Sequence, residues 1–219
     1  MTETRKKRFT DKYGKSTTAI AFICICFLII NSIFIDESAL LKLSDNKLVA
    51  CLLNFLAGCE GKLGTIGSMS KAKLFDDGQW WRLFTNIYLH AGILHLVFNA
   101  LALFFAGKVV EKKIGCLKSI LLFHVIAVFD AIILCMIYPS STSVGASAGI
   151  FGFIGILFVL KLTKDEKCIE IQKKGELVYI IVFSVLSLVL GLESFITHFI
   201  AFVLGTLSGV IILKIPHKK

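Results

Sequence analysis

Apolar residues in this chain gather in long blocks rather than at the periods of 2 or 3.6 that mark half-buried strands and surface helices. Six blocks stand out: Thr18 to Ile35, Leu83 to Gly107, Ser119 to Ile137, Gly145 to Leu160, Leu177 to Leu190 and Ser194 to Leu213. A charge-free helix of about 18 residues or more is long enough for roughly 30 Å of hydrocarbon at 1.5 Å per residue. The pattern therefore predicts an all-α membrane protein, a bundle of six spans over residues 18–213. A short basic N-terminus (1–17) precedes it and a basic tail (214–219) follows. The first block also follows the basic-then-apolar order of a signal peptide. It is long for that role and no small-residue cleavage site follows, so an uncleaved span is expected. Residues 36–82 form the one long connection, and Tyr138-Pro139-Ser140-Ser141 ends span three with a turn signal.

Composition agrees. The 219 residues are 56% hydrophobic, with a mean hydropathy of +0.83, against about 45–50% apolar for soluble domains. The net charge of +9 would suit nucleic acid if the basic residues lined one face. Instead they cluster between blocks: at the N-terminus, in 108–118, in 161–175 and in the tail. The 138–144 turn and the link between spans five and six hold no Lys or Arg. The positive-inside rule then puts both termini in the cytoplasm and the 36–82 loop outside. A multi-pass protein of the cell membrane, in contact with lipid and not with nucleic acid, is the expectation. Of seven cysteines, Cys24, Cys26, Cys116, Cys135 and Cys168 lie in or beside apolar blocks and read as small hydrophobes. Cys51 and Cys59 share the loop and are candidates for a disulfide if it faces an oxidising space. No His/Cys cluster has metal-ligand spacing, and no cofactor is expected.

Polar groups at membrane depth are costly and often functional. Four stand out: His95 and Asn99 in span two, Ser147 in span four and His198 in span six. His95 precedes Lys108 by 13 residues, Ser147 precedes Lys161 by 14, and His198 precedes Lys214 by 16. At 1.5 Å per residue these put the three about 20, 21 and 24 Å from the same boundary. Packing alone gives no reason for that common height. Serine needs a base to become a nucleophile, and neutral histidine is the usual one. Asn99, His95 and the Ser147 backbone N–H at a helix start offer donors for an oxyanion. No carboxylate lies at that height on an even-numbered span, so a Ser–His dyad is expected rather than a triad. Gly145-Ala146-Ser147-Ala148-Gly149 has the G-x-S-x-G form of a soluble hydrolase elbow, but a turn rather than a strand precedes it. Its glycines also suit close helix packing. Gly149 and Gly152 are expected to meet Ala201 and Gly205 on span six, bringing Ser147 to His198.

With these residues in view, residues 75–213 resemble the rhomboid intramembrane serine proteases. Trp81-Arg82 resembles the family's entry to its second span, and the His90 to Asn99 run resembles the second span itself. There His95 and Asn99 would serve the oxyanion site. Glu111 in VVEKKIG matches an element implying a structural role at the cytoplasmic turn. GASAGIFG matches the nucleophile motif and gives Ser147, while THFIAFVLG matches the last core span and gives His198, with Ala201 and Gly205 at its small positions. Ala148 stands where the family usually has Gly. Phe151 stands where a Tyr often stacks on the base, keeping the ring and losing the hydroxyl. The resemblance implies hydrolysis of a peptide bond in or near a transmembrane segment of another membrane protein. An inactive binder of the same fold would lack the Ser or the base, and both are present. A small transporter would show internal repeats and polar groups at several depths; no repeat is found. Asp130 and His124 belong to neither scheme and are expected to hydrogen-bond to each other or to a neighbouring helix.

Overall fold

The computed structural model describes residues 9–33, 44, 46–57, 67–165, 173–188 and 191–214. Within them lie α1 (Phe9–Tyr13), α2 (Lys15–Ile33), α3 (Lys47–Ala57), β1 (Met69–Ser70), a π-helical turn (Ala72–Asp76), α4 (Arg82–Tyr88), α5 (Ile93–Ile114), α6 (Cys116–Ile137), β2 (Thr142–Ser143), α7 (Ser147–Leu162), α8 (Lys174–Leu188) and α9 (Leu192–Ile212). Four helices, over Lys15–Ser32, Ile93–Ile114, Cys116–Ile137 and Leu192–Ile212, are long and apolar enough to cross a membrane. Cys59, and with it the Cys51–Cys59 pairing, lies outside the described residues.

The second apolar block is not one helix. It breaks at 89–92, where Leu89 turns extended (φ −79, ψ 141) and Gly92 is fully extended before α5 begins. His95 therefore sits in the first turn of α5 rather than within a continuous span. The predicted long connection carries α3, β1 and the π-helical turn. β1 pairs antiparallel with β2, Met69 opposite Ser143 and Ser70 opposite Thr142, which ties that connection to the chain just before Ser147.

At 16 residues, α7 is about 24 Å long, shorter than the bilayer core. It lies at the centre, with twelve of its residues buried, packed against α5, α6 and most extensively α9. Apolar burial does not drive helices together in lipid; close packing does. A Cβ on Gly205 would come within 2.6 Å of the Gly152 carbonyl carbon, and one on Gly155 within 2.8 Å of the Thr206 nitrogen. The two helices thus touch backbone to backbone, running parallel. Ala201 is fully buried on the same face of α9. Gly149 does not join this seam: a Cβ there would meet the Phe123 ring of α6 at 2.5 Å. Gly155, not singled out by the motif, takes the place expected of Gly149.

The end opposite Ser147 is held by charge. Glu111, in the last turn of α5, accepts the Lys15 and Ser16 backbone N–H groups at 2.9 and 2.7 Å and the Ser16 hydroxyl. It thus caps α2, whose first N–H groups have no partner in their own helix, rather than the 108–118 turn. Lys108 and Glu176 form a buried ion pair between α5 and α8, and Lys113 meets Asp165 at 3.0 Å. Phe9, Tyr13 and Phe104 cluster at 4.6 to 5.3 Å and pin α1 to α5.

Three outcomes follow for stability in detergent. Gly205→Val forces side-chain atoms into the Gly152 backbone and is expected to cost about 3 kcal/mol or more. Gly175→Ala, with open space around it, is expected to cost nothing. Glu111→Gln replaces a charged acceptor facing two N–H donors and is expected to cost about 1.5–3 kcal/mol. Thermal unfolding midpoints of the purified variants check all three.

Candidate active site

Ser147 is the first residue of α7, half-buried, and the turn before it is shaped by Gly145. At φ +119 Gly145 takes a conformation that side chains rarely adopt. Its N–H donates to the Asn86 carbonyl at 2.8 Å. A Cβ added there would lie 3.0 and 3.2 Å from His95 Cε1 and Nε2. The turn carrying the serine is thereby pressed onto His95 and fastened to the end of α4. Asn86 carries no signal as a site residue, because its backbone carbonyl makes the contact and any residue supplies one.

A cavity of about 500 Å³ opens above Ser147. His95, Phe98 and Asn99 line it from α5, Val144 and Ser147 from the turn and α7, Tyr179, Phe183 and Ser187 from α8, and Ser194 and His198 from α9. The four polar residues picked out by depth thus share one cavity, though α5, α7 and α9 bring them from three parts of the chain. His198 is 6% exposed and Asn99 2%. Among the described residues the His198 Nδ1 and Asn99 Nδ2 atoms are buried without a hydrogen-bond partner, and no hydrogen bond joins Ser147 to His198. A base and its nucleophile often close to bonding distance only once substrate is bound.

His95 Nδ1 accepts the Ala91 N–H at 3.4 Å. In a neutral ring that assignment leaves the proton on Nε2, the nitrogen beside Gly145. His90 stands edge-on to His95, centroids 5.0 Å apart, and its Nδ1 donates to the Tyr88 carbonyl at 3.2 Å. Phe151 lies flat on His198, centroids 4.1 Å apart and planes 11° from parallel.

Other sequence-selected residues stand away from the cavity. Arg82 is buried; its Nε donates to Gln79 Oε1 and its Nη1 to the Ser68 carbonyl, both at 2.6 Å, which holds the segment leading into β1. Trp81 is exposed. Ala201 and Gly205 belong to the α7–α9 seam, and Glu111 to the far end. His124 and Asp130 are not bonded to each other: the His124 Nδ1 donates to the Ile120 carbonyl at 2.7 Å and its Nε2 meets the Tyr88 hydroxyl. Asp130 is fully buried on α6, its Oδ1 without a partner among the described residues. Ser187 and Ser194 also line the cavity; a lone serine in an apolar block carries no signal by itself.

A family model described as the rhomboid domain matches residues 77–215. The chain is similar to the rhomboid protease GluP of Bacillus subtilis (strain 168), 37% identical over 109 residues, 50% of this chain and 21% of that protein. It is similar to RHOMBOID-like protein 4 of Arabidopsis thaliana, 30% identical over 160 residues, 71% of this chain and 40% of that protein. RHOMBOID-like protein 2 of the same plant is 29% identical over 157 residues, 70% of this chain and 49% of that protein. The chain spans less than half the length of these relatives. The matched domain covers all of α4 to α9 and the whole cavity, so this chain, an integral multi-pass membrane protein, belongs to the rhomboid family.

Proposed function

We propose that this protein is an intramembrane serine endopeptidase that cleaves peptide bonds in or near transmembrane segments of other membrane proteins. One observation carries the reading: Ser147, His198, His95 and Asn99 converge on a single cavity, and Ser147 opens the central helix where its N–H groups have no partner in that helix. The comparisons supply the chemistry's precedent, since a relative is named a protease.

In this mechanism His198 takes the Ser147 hydroxyl proton as Oγ attacks the scissile carbonyl carbon. The oxyanion that forms is met by Asn99 Nδ2, the His95 Nε2–H and the Ser147 backbone N–H. Collapse breaks the C–N bond; His198 passes its proton to the departing amine, and Ser147 is left as an ester. Water then attacks the ester with His198 again as base, releasing the acid and the free serine. Phe151 stacks on the base, and Gly145 keeps the turn close enough to His95 for the donors to converge. The substrate would reach the cavity between α5 and α8, whose residues form its walls, and would unwind there, because a peptide bond inside a helix is hidden from the serine. Six spans with both termini in the cytoplasm would put the cavity toward the outer face, open to water. The two short helices, α7 and α8, are then the fourth and fifth spans, shielded by their longer neighbours. No cofactor enters this chemistry.

The purified protein is expected to be labelled by a fluorophosphonate and to cleave a reporter transmembrane segment. Ser147→Ala and His198→Ala are expected to lose both. Asn99→Ala is expected to lower the cleavage rate about 10²–10³-fold, the usual cost of one oxyanion donor. A wild-type protein that does not label, or a Ser147→Ala variant that labels equally, would overturn the proposal.

A further inference from the structure

Among the described residues no side chain hydrogen-bonds to the base of this site to aim it. His198 Nδ1 is buried and unpartnered among the described residues, where a base is ordinarily oriented by a third group. The torsion that turns an imidazole about its stem has broad minima, so packing must set the ring's plane. The contacts available are rings. Phe151 lies on His198 as described above. Phe183 of α8 meets Phe151 at 5.6 Å, 30° from parallel, and is 7% exposed. Tyr179, one turn earlier, lies 6.4 Å from Phe183 and 13° from parallel.

The outer member of this series is fixed to a different helix. The Tyr179 hydroxyl donates to the Phe98 carbonyl of α5 at 3.1 Å, and Phe105 of α5 stands edge-on to its ring at 5.4 Å and 86°. Below it the buried Lys108–Glu176 pair joins the same two helices. A continuous path of ring contacts therefore runs from α5 through α8 and α7 to the base on α9.

We propose that Phe183 is a positioning residue for His198, acting through Phe151, and that Tyr179 anchors the series to α5, so that the seating of α8 against α5 sets the angle of the base. This rests on the proteolytic reading given above. Tyr179 and Phe183 also line the cavity, so a segment lodged between α5 and α8 would press on the same rings that orient the base. Its arrival and the readiness of His198 would be linked.

The test compares fluorophosphonate labelling rates of the protein in detergent for wild type, Phe183→Leu, Phe183→Met, Phe183→Tyr and Tyr179→Phe, with Ser147→Ala as blank. Leu and Met keep the apolar volume without the ring face; Tyr restores the face and directs its hydroxyl into the cavity. Thermal unfolding midpoints are taken in parallel. The expected result is a loss of about tenfold or more in Phe183→Leu and Phe183→Met at an unchanged midpoint, since small misplacements of reacting groups carry costs up to about a hundredfold. Phe183→Tyr is expected to recover the rate, and Tyr179→Phe to lose less than Phe183→Leu. Wild-type rates in the Leu or Met variant, or a loss that Tyr does not recover, would overturn the positioning role while leaving the proteolytic reading standing. Absence of labelling in wild type would remove both.

Discussion

In a bilayer a helix gains little by leaving lipid for another helix unless the two fit more closely than lipid tails would. The α7–α9 seam meets that condition at the level of backbone atoms. A methyl on Gly155 or Gly205 would strike the facing backbone. Gly152 meets Gly205 with its own backbone while its missing side chain faces Ile126 of α6, and the fully buried Ala201 continues the surface toward His198. Contact this close fixes the spacing of the two helices and leaves their register little freedom. Whatever Ser147 and His198 do together depends on it, because each stands toward the same end of its own helix with no covalent or hydrogen-bonded link to the other.

The remaining parts of the site are hung on that seam by quite different forces. His95 and Asn99 come from α5, which is drawn to its neighbours by the Lys108–Glu176 and Lys113–Asp165 pairs at the far end. The serine turn is held by a backbone bond from Gly145 to Asn86 and by contact with His95. β1 and β2 fasten the long connection to the same turn. Charge is used where the basic segments lie, and small residues and backbone bonds are used at the cavity. A buried ion pair beside the cavity would add a competing field to any chemistry of an oxyanion; at the opposite end it serves only to hold helices together.

Much of this was legible in the sequence, for a physical reason. A run of side chains able to cross a membrane must be apolar over a fixed length, so the long blocks announce the helices. A polar group at depth is costly enough to be noticed, so His95, Asn99, Ser147 and His198 stand out, and the common height of His95, Ser147 and His198 can be counted from the lysines. What could not be read was which neighbour each face meets. Gly149 fits an interhelical motif equally well whether it opens space for Phe123 of α6 or for α9, and the structure gives it to α6. The break at 89–92 is hidden because the block stays free of Lys, Arg, Asp and Glu across it, although His90 and Gly92 lie in it. Glu111 is expected to tie the cytoplasmic turn, yet its partner is the start of α2, 95 residues away for Ser16. Phe183 is one of 19 phenylalanines, and nothing in its local sequence sets it apart.

The unpartnered polar atoms are informative in this setting. A buried donor without an acceptor costs roughly 1–3 kcal/mol, and in an apolar bundle water is least available to relieve it. Natural structures leave few such atoms. Asn99 Nδ2, the side-chain amide the proposed mechanism aims at the oxyanion, is left so among the described residues, and Asn99 lines the cavity. Under the proposed reaction that cost has a use. A donor kept unsatisfied in the resting state gains most when negative charge develops in front of it, which favours the transition state over the bound substrate. Under that reaction, the packing that brings Ser147 and His198 to one cavity also keeps the Asn99 donor waiting.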